Sequence, residues 1–303
     1  SKKLEISPVP SIIAIAISSN LQGAATLVGD TTSILLGGHA NLDFLDFFIY
    51  RGKPGMFWIV QFGALASMLV LLWVFRKEKQ SIEVKDRIVV EDYFPSLLLL
   101  GTIILLILAS FIPEENKPAI TNGLICVGLL VIGLIREIIR SRNLISLKRT
   151  LGEIDYFTLL LLMGLFIVIG GITEAGVVDE ISQLFVKVSG NSVFLMYTLL
   201  VWASVLFSAF IDNIPYVATM LPVTSGIASL MGVDPTVLYF GLLAGATLGG
   251  NITPIGASAN ITGLGILKKE GYEVGVKEFM KISVPFTLAA VTTGYILVWL
   301  IWA

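Results

Sequence analysis

The stretch GATLGGNITPIGASANITGLG, residues 245–265, interrupts a segment whose flanks are apolar enough to cross a membrane. It contains six glycines, one proline, two asparagines and four hydroxyl side chains. Glycine and proline weaken a helix, and hydrocarbon cannot satisfy the backbone N–H and C=O groups that a break sets free. The stretch therefore predicts a broken helix whose freed groups face protein, water or an ion.

The composition of the chain indicates a membrane protein. The 303 residues are 55% hydrophobic and 14% charged, with a mean hydropathy of +0.89, whereas soluble domains have about 25% charged residues. The net charge of −2 and the scattered basic residues predict no nucleic-acid partner. One histidine and one cysteine, Cys126, leave little acid, base or metal-ligand chemistry. We therefore predict an all-α integral membrane protein that is not an enzyme and needs no cofactor.

Apolar runs of about 20 residues, the length that spans a bilayer, predict seven spans. They lie near 11–38 (interrupted), 55–75, 94–112, 119–136, 155–172, 236–267 (interrupted) and 284–302. A further apolar stretch, 192–230, is broken at Asp212-Asn213-Ile214-Pro215. It predicts a re-entrant hairpin, with two full crossings as the alternative. Short amphipathic segments at 41–50 and 272–281 are expected to lie along the interface.

The basic residues predict the orientation. With a re-entrant hairpin, 16 of the 20 Lys and Arg residues fall on one side of the membrane, at the N-terminus and in residues 76–93, 136–153 and 266–282. The positive-inside rule places that side in the cytoplasm. We expect a multi-pass protein of the cell (inner) membrane with a cytoplasmic N-terminus and an external C-terminus. Residues 76–93 are then a cytoplasmic linker.

An internal repeat relates the two interrupted spans. Ser19–Gly29 can be aligned with Ala246–Gly256 with four identities in eleven positions, and the predicted topology makes the two spans run in opposite directions. The sequence thus predicts the remainder of a first inverted repeat in residues 1–75 and a second repeat in residues 94–303. Inverted repeats with broken helices are typical of secondary transporters, which bind solute and coupling ion between half-helix ends.

The polar residues of both breaks and of the hairpin tip are the candidate site. The predicted substrate- and ion-binding residues are Asn20, Gly23, Thr26, Gly29, Asp30, Asp212, Asn213, Pro215, Gly250, Asn251, Thr253, Gly256, Ser258 and Asn260. An ionised Asp at the bilayer centre costs about 2.5–3.5 kcal/mol and usually marks an ion path.

Each of these interpretations has an alternative. Small residues in 247–260 could serve helix packing alone, and Asp212 could be a structural, hydrogen-bonded residue. Asp30 could cap a helix that begins at Thr31 and Thr32. His39, after two glycines, is predicted to be a loop residue.

The segment Gly249–Asn260 closely resembles the second-repeat motif of the ArsB/NhaD-like permeases, in the ion transporter superfamily with the citrate-transporter-like and P-protein branches. Asp212-Asn213 matches an Asp-Asn pair at a hairpin tip of that family. A first-repeat motif is matched by Ser19, Asn20, Gly23, Ala25, Thr26, Leu27, Val28, Gly29 and Asp30. The resemblance implies an inverted-repeat carrier with two hairpins and two unwound helices, moving by an elevator-type displacement.

The chain departs from the family pattern at several positions. It has Gln22-Gly23 where the family often has Gly-Gly, Thr31-Thr32-Ser33 where Pro-Pro-Asn is frequent, and Thr247 where Asn is common. In the second repeat Asp212 precedes Gly250 by 38 positions, and the same offset before Gly23 lies upstream of residue 1. We therefore expect a missing N-terminal segment as a partner, without which the chain does not transport. A homodimer is another candidate assembly.

The function expected from these features is secondary active transport of a small ion. The expected cargo is an anion or oxyanion coupled to Na⁺ or H⁺, with a Na⁺ ion near Asp212, Asn213 and Asn251. The alternatives are an ion channel, because broken helices can also line a pore, and a Na⁺/H⁺ antiporter that uses the same site.

Overall fold

The computed structural model describes residues 7–77, 92–113, 116–118, 120–141, 151–152, 154, 156–190 and 192–303. Helices dominate these residues. The helices are α1 (Val9–Gly23), α2 (Thr31–Ala40), α3 (Met56–Val74), α4 (Phe94–Ala109), α5 (Thr121–Ser141), α6 (Tyr156–Glu174), α7 (Val177–Ser189), α8 (Val193–Ser208), α9 (Asn213–Met231), α10 (Thr236–Gly249), α11 (Ser258–Lys269) and α12 (Val276–Trp302). The predicted all-α class is confirmed.

The interruptions in the sequence become interruptions in the helices. Residues 24–30 separate α1 from α2, and residues 250–257 separate α10 from α11. Residues 209–212 form the tip of a helical hairpin made by α8 and α9. The predicted cytoplasmic linker, 76–93, lies largely outside the described residues. The assignment of residues 1–75 and 94–303 to two repeats stays a prediction.

The expected start of the last span needs correction. Residues 276–281 do not precede that helix as a separate segment but are the first turns of α12, which has 27 residues. The helix continues through Pro285 because a spanning helix tolerates the loss of one backbone hydrogen bond. Residues 41–50 contain a 3₁₀ turn, Leu45–Phe47, and strand β1 (Ile49–Tyr50), paired antiparallel with β2 (Lys53–Pro54). Their expected interfacial position stays a prediction.

Four of the described helices are long and apolar enough to cross a membrane alone: Met56–Val74, Thr121–Arg140, Asn213–Met231 and Val276–Trp302. The pair Thr158–Glu174 and Val177–Ser189 supplies a fifth if it is counted as one bent span. The interrupted spans consist of shorter helices, as expected for broken segments. Because α9 is itself long enough to cross, both alternatives for the helical hairpin stay open.

Helix α7 follows α6 after a bend of 70° and was missed in the sequence. Its surface has three sides. Val178, Ser182 and Ser189 are buried, with Ser182 Oγ donating to Val223 O of α9 at 3.1 Å. A second side exposes Val177, Leu184 and Val188, and a third exposes Asp179, Glu180, Gln183 and Lys187. An amphipathic helix of this kind is suited to the membrane interface.

The described residues form two packing units, and the larger comprises residues of 1–42, 46–81 and 164–303. Its centre is α10, which is buried along its whole length. A stripe of glycines, Gly241, Gly245 and Gly249, lets α8 approach closely: a Cβ on Gly245 would lie 2.6 Å from Val201 O. Small residues commonly permit such close contact between membrane helices.

The four half-helices of the larger unit pack crosswise. The first half-helix of each interrupted span contacts the second half-helix of the other: α1 packs on α11, and α10 packs on α2. Helices α3 and α12, which follow the two breaks, pack against each other. There Ser67 Oγ donates to Phe286 O at 3.0 Å. This reciprocal arrangement brings the two breaks together.

The smaller unit comprises residues 43–45 and the described part of 82–163. Asp92 lies just before α4 and accepts hydrogen bonds from Arg136 at 2.7 and 2.9 Å and from Arg140 at 2.6 Å, both on α5. Hydrogen bonding by Arg136 is the main reason why the pKa of Asp92 is lowered to about 2. Lys117 forms an ion pair with Asp43 in the same unit.

Substituting Gly245→Ala tests the α8–α10 contact. The new methyl group would meet the Val201 backbone, and overpacking of this kind costs about 1–3 kcal/mol. We expect a lower midpoint of thermal unfolding by circular dichroism in detergent. Gly164→Ala is the matched control, because nothing lies within 4 Å of its Cβ position. Equal midpoints for the two variants would contradict the close contact.

The pairing of Asp92 predicts a pH dependence of stability. The pKa of this carboxyl is lower in the folded protein than the value of about 3.9 for a free side chain, so its contribution is complete above that value and is lost as the pH falls toward 2. Asp92→Asn should unfold at a lower temperature than the unsubstituted protein at pH 6. The difference in unfolding temperature between the two proteins should shrink at pH 2.5. A constant difference between pH 6 and pH 2.5 would refute the stabilising role of the Asp92 carboxylate.

Candidate functional site

Glycine and aspartate residues shape the backbone of the first break, between α1 and α2. A Cβ on Gly29 would lie 2.5 Å from Gly23 O, so only glycine permits this approach of the chain to itself. Asp30 then caps α2, its Oδ1 accepting from Thr31 N at 2.7 Å. Ser33 Oγ donates to Gly23 O at 3.1 Å and satisfies a carbonyl at the end of α1. The cap predicted at Asp30 is thus confirmed, and its role in ion binding stays a prediction.

The second break has the same construction. A Cβ on Gly250 would lie 2.5 Å from Gly256 O. Asn260 Nδ2 donates to Gly250 O at 3.1 Å and to Thr253 O at 3.0 Å. Gly23, Gly29 and Ser33 therefore have counterparts in Gly250, Gly256 and Asn260 at a constant offset. The position that corresponds to Asp30 is Ala257, so a carboxylate is present in one break and absent from the other.

The two breaks meet at a pair of asparagines. Asn20 Nδ2 donates to Thr247 O at 2.7 Å and to Asn251 Oδ1 at 3.1 Å, and Asn251 Nδ2 donates to Ile17 O at 2.9 Å. Both side chains are buried. We call Asn20, Asn251 and the two carbonyl groups the asparagine junction. Each amide satisfies a backbone carbonyl of the opposite helix, so the junction supplies part of what the two breaks require.

The tip of the helical hairpin joins both breaks. Asp212 caps α9, its Oδ1 accepting from Ile214 N at 2.9 Å, and its Oδ2 accepts from Ser258 Oγ at 3.4 Å. Asn213 Nδ2 donates to Asp30 Oδ2 at 3.3 Å. We call Asp30, Asp212, Asn213 and Ser258 the carboxylate cluster. Thr253 Oγ also donates to Ala209 O at the tip.

The structure therefore divides the predicted site residues into two groups. Asn20 and Asn251 are at the asparagine junction, while Asp30, Asp212, Asn213 and Ser258 form the carboxylate cluster. The hydrogen bonds of Asn251 go to Asn20 and Ile17, whereas those of Asp212 go to Ile214 and Ser258. The expected grouping of Asn251 with Asp212 and Asn213 around one Na⁺ stays a prediction.

The predicted glycines, Thr26 and Pro215 have backbone roles. Gly23, Gly29, Gly250 and Gly256 allow the close approaches at the breaks. Thr26 O accepts from Gly29 N at 3.1 Å. Pro215 lies in the first turn of α9, where a missing N–H costs nothing, and its carbonyl accepts from Thr219 Oγ at 2.9 Å.

Oxygen atoms surround the second break. The Cβ position of Gly256 lies 2.6 Å from Gly250 O, 2.6 Å from Ser208 O and 2.9 Å from Ala209 O. Asn260 turns its Nδ2 toward two carbonyls, and its buried Oδ1 has no hydrogen-bond partner among the described residues. Groups of three or more His, Cys, Asp or Glu side chains suited to a metal are not found in the described part of the chain. The oxygens here are of the kind that hard cations prefer.

Several residues in this region were missed in the sequence. Thr32 Oγ lies 2.9 Å from Thr247 Oγ and 3.3 Å from Asp30 Oδ2. Ser208 Oγ donates to Ala246 O at 2.6 Å. These hydroxyl residues lie next to the predicted ones in the sequence, but their contacts are with helices distant along the chain.

His39 is not a loop residue, contrary to expectation. It lies in the last turn of α2, and its Nε2 is 2.8 Å from Ser225 Oγ of α9. It lines a cavity of about 200 Å³, together with Tyr50, Arg51 and Tyr239 among others. The helix extends to Ala40 because Asn41 adopts the left-handed conformation that ends it.

Comparison with known proteins decides the family. A family model described as citrate transporter matches residues 1–245. The chain belongs to the citrate transporter family. Its resemblance to the ion transporter superfamily, which includes this family and the P-protein branch, is confirmed.

The relatives of the chain include a named membrane protein and several uncharacterized transporters. The chain is 32% identical over 305 residues to a 46 kDa membrane protein of Mycobacterium leprae, covering 99% of the chain and 69% of that protein. It is 30% identical over 309 residues to an uncharacterized transporter of Mycobacterium tuberculosis, covering 98% and 69% respectively. It is 34% identical over 157 residues to the P protein of Homo sapiens, covering 49% and 19%. The protein is thus a multi-pass membrane transporter.

Asn251→Ala tests the asparagine junction. It removes the donor to Ile17 O and leaves Asn20 without one of its acceptors, at a site without solvent access. We expect the free energy of unfolding in an SDS titration to fall by about 1–3 kcal/mol.

Gln22→Ala is the matched control for that substitution. Gln22 is an exposed amide on α1 that pairs only with the side chain of Gln61 in the described structure. Its loss should change the free energy of unfolding by no more than about 0.5 kcal/mol. If both variants unfolded alike, the junction would not stabilise the breaks.

Proposed function

We propose that the protein is a secondary active transporter that moves a small anion or oxyanion together with Na⁺ or H⁺. The observation that carries the proposal is the meeting of two broken helices and a hairpin tip, through Asn20–Asn251 and Asp30–Asn213. Helix ends of this kind offer N–H groups to an anion and carbonyl oxygens to a cation.

Helix N-termini support an anion subsite at α11. Three helices begin in this region, and the first turns of α2 and α9 already receive the carboxylates of Asp30 and Asp212. No side chain among the described residues caps α11, and its first residue, Ser258, is exposed. A helix N-terminus favours negative charge through its dipole and its unpaired N–H groups. We place the anion there.

Oxygen atoms support a coupling-cation subsite nearby. The carboxylates of Asp30 and Asp212 carry negative charge, and Asn260 Oδ1 lies near the carbonyls around Gly256. Na⁺ or a proton bound at Asp30 or Asp212 would offset the charge of that carboxylate, and Na⁺ bound at Asn260 Oδ1 would give this oxygen a partner.

The family name makes citrate the first cargo to test. Citrate is a small oxyanion of the class inferred from the residues, and the matching family model bears its name. The carboxylates at Asp30 and Asp212 favour a second candidate function, Na⁺/H⁺ antiport, in which the cation is itself the cargo. A channel is the third alternative and would show unitary currents.

An elevator-type movement is the proposed mechanism. Helix α7 leaves α6 at 70° and packs on α9 of the helical hairpin. With its apolar side toward lipid and its charged side toward water, α7 would lie along the membrane surface. We propose that it connects a moving body, which carries both breaks, to the rest of the protein.

A further protein surface is expected to cover α1. Helix α10 is buried all round by α8, α9 and its other neighbours, whereas its counterpart α1 exposes Ser11, Ile15, Ser19 and Gln22 along one side. We propose that an upstream segment of the same protein, or a second copy, covers this side. The basic loops support a cytoplasmic N-terminus and an external C-terminus in the inner membrane.

Flux into proteoliposomes tests the function. Labelled citrate and arsenite are supplied as cargo, with Na⁺ and proton gradients imposed separately, and the chain is tested with and without its upstream region. Saturable uptake driven by one gradient is expected. Na⁺/H⁺ exchange without anion uptake would establish the second candidate, and unitary currents in planar bilayers would establish the channel.

Asp212→Asn tests the role of charge at the hairpin tip. The substitution preserves the shape and an oxygen that can accept from Ile214 N, but it removes the charge. Gradient-driven transport should be abolished or strongly weakened, with insertion and thermal unfolding unchanged. Asp179→Asn, at an exposed carboxylate on α7, is the control and should transport normally. Normal coupling in Asp212→Asn would make Asp212 a structural residue.

A further inference from the structure

A pair of threonines connects the two halves of the site. Thr32 is the second residue of α2 and Thr247 lies in the last turn of α10, and their Oγ atoms are 2.9 Å apart. Both side chains have no exposed surface. We call these two residues the threonine bridge. The contact joins the second half of one broken helix to the first half of the other.

Each end of the threonine bridge belongs to a different cluster. Thr32 Oγ also lies 3.3 Å from Asp30 Oδ2, which is in the carboxylate cluster and accepts from Asn213. Thr247 O accepts from Asn20 Nδ2 at 2.7 Å, which is in the asparagine junction. One hydrogen bond between buried hydroxyls therefore links the two clusters.

The direction of that hydrogen bond depends on Asp30. A hydroxyl has one hydrogen to donate and can accept from others. When Thr32 donates to the carboxylate of Asp30, Thr247 must donate to Thr32. When a cation occupies the oxygen of Asp30, it repels the hydrogen of Thr32, which then turns toward Thr247. Thr247 then accepts the hydrogen bond instead of donating it.

We propose that Thr32 and Thr247 are positioning residues that make the affinity for the anion depend on the cation held near Asp30. The proposal rests on the proposed function, since it assumes that an anion and a cation share the site. Neither residue needs to touch the cargo. Their effect comes from fixing how α2 and α10 cross, and hence how the asparagine junction sits relative to the carboxylate cluster.

The test compares variants that remove or retain the hydroxyls. Thr247→Val removes the threonine bridge alone, Thr32→Val also removes the contact with Asp30, and the double variant completes a thermodynamic cycle. Thr247→Ser retains the hydroxyl. Thr224→Val is the matched control, because Thr224 is equally buried on α9 and its Oγ has no hydrogen-bond partner among the described residues.

The measurement is the KM for labelled citrate uptake at low and at saturating concentration of the coupling ion, Na⁺ or H⁺. In the unsubstituted protein, KM should fall as the ion concentration rises. In Thr247→Val this dependence should weaken by about two- to ten-fold, the effect of one neutral hydrogen bond. Thr247→Ser and Thr224→Val should behave like the unsubstituted protein, and the two valine substitutions should be non-additive.

Thermal unfolding of every variant separates folding from coupling. A folded Thr247→Val protein whose KM keeps its full ion dependence would overturn the inference and leave the proposed function intact. Additive effects of Thr32→Val and Thr247→Val on the ion dependence of KM would also overturn the inference and leave the proposed function intact. An unsubstituted protein that takes up citrate without any ion dependence, or takes up none, would overturn the proposed coupling or cargo and this inference with it.

Discussion

A break in a helix within a bilayer frees N–H and C=O groups that hydrocarbon cannot satisfy, and the fold is arranged around this requirement. Two breaks are brought face to face, so that the amide of Asn20 satisfies a carbonyl of α10 and the amide of Asn251 satisfies a carbonyl of α1. If either break were buried alone, these carbonyls would lose their hydrogen-bond partners, and the free-energy cost of burial would be higher. The crosswise packing of α1, α2, α10 and α11 follows from this need.

Close approach of the backbone makes this pairing feasible. Glycines at the start and end of each break let the chain turn on itself, and the stripe on α10 lets α8 approach, with the carbonyls of Ser208 and Ala209 close to Gly256. Side chains larger than hydrogen would separate these segments. The glycine content of the chain is thus a condition for the polar site, because it determines how near the oxygen atoms of different helices can come.

Local sequence predicts the breaks well because their causes are local. Gly, Pro and Asn in an apolar run weaken a helix wherever they occur, so both breaks and the hairpin tip were predicted from residue type. The cap at Asp30 was also predicted, since it involves the adjacent Thr31.

Tertiary contacts account for what the sequence did not predict. The approach of Thr32 to Thr247 depends on how two distant helices cross. Helix α7 was not predicted because it contains no continuous apolar run. Its apolar residues are divided between a side that packs on α9 and a side that is exposed. The start of α12 was misplaced because the charged residues Lys277, Glu278 and Lys281 suggested an interfacial segment, although they only occupy its first turns.

Asp30 gives one break a carboxylate, whereas the other break has Ala257 at the matching position. The two breaks therefore differ in charge. A charge carried across a membrane works against or with the membrane potential, by about 2.3 kcal/mol per elementary charge per 100 mV. If the body that contains Asp30 moves along the membrane normal while the carboxylate is ionised, the rate of that movement depends on voltage. A monovalent cation bound there cancels the charge of Asp30, so the forms of the protein with and without this cation respond differently to the same potential.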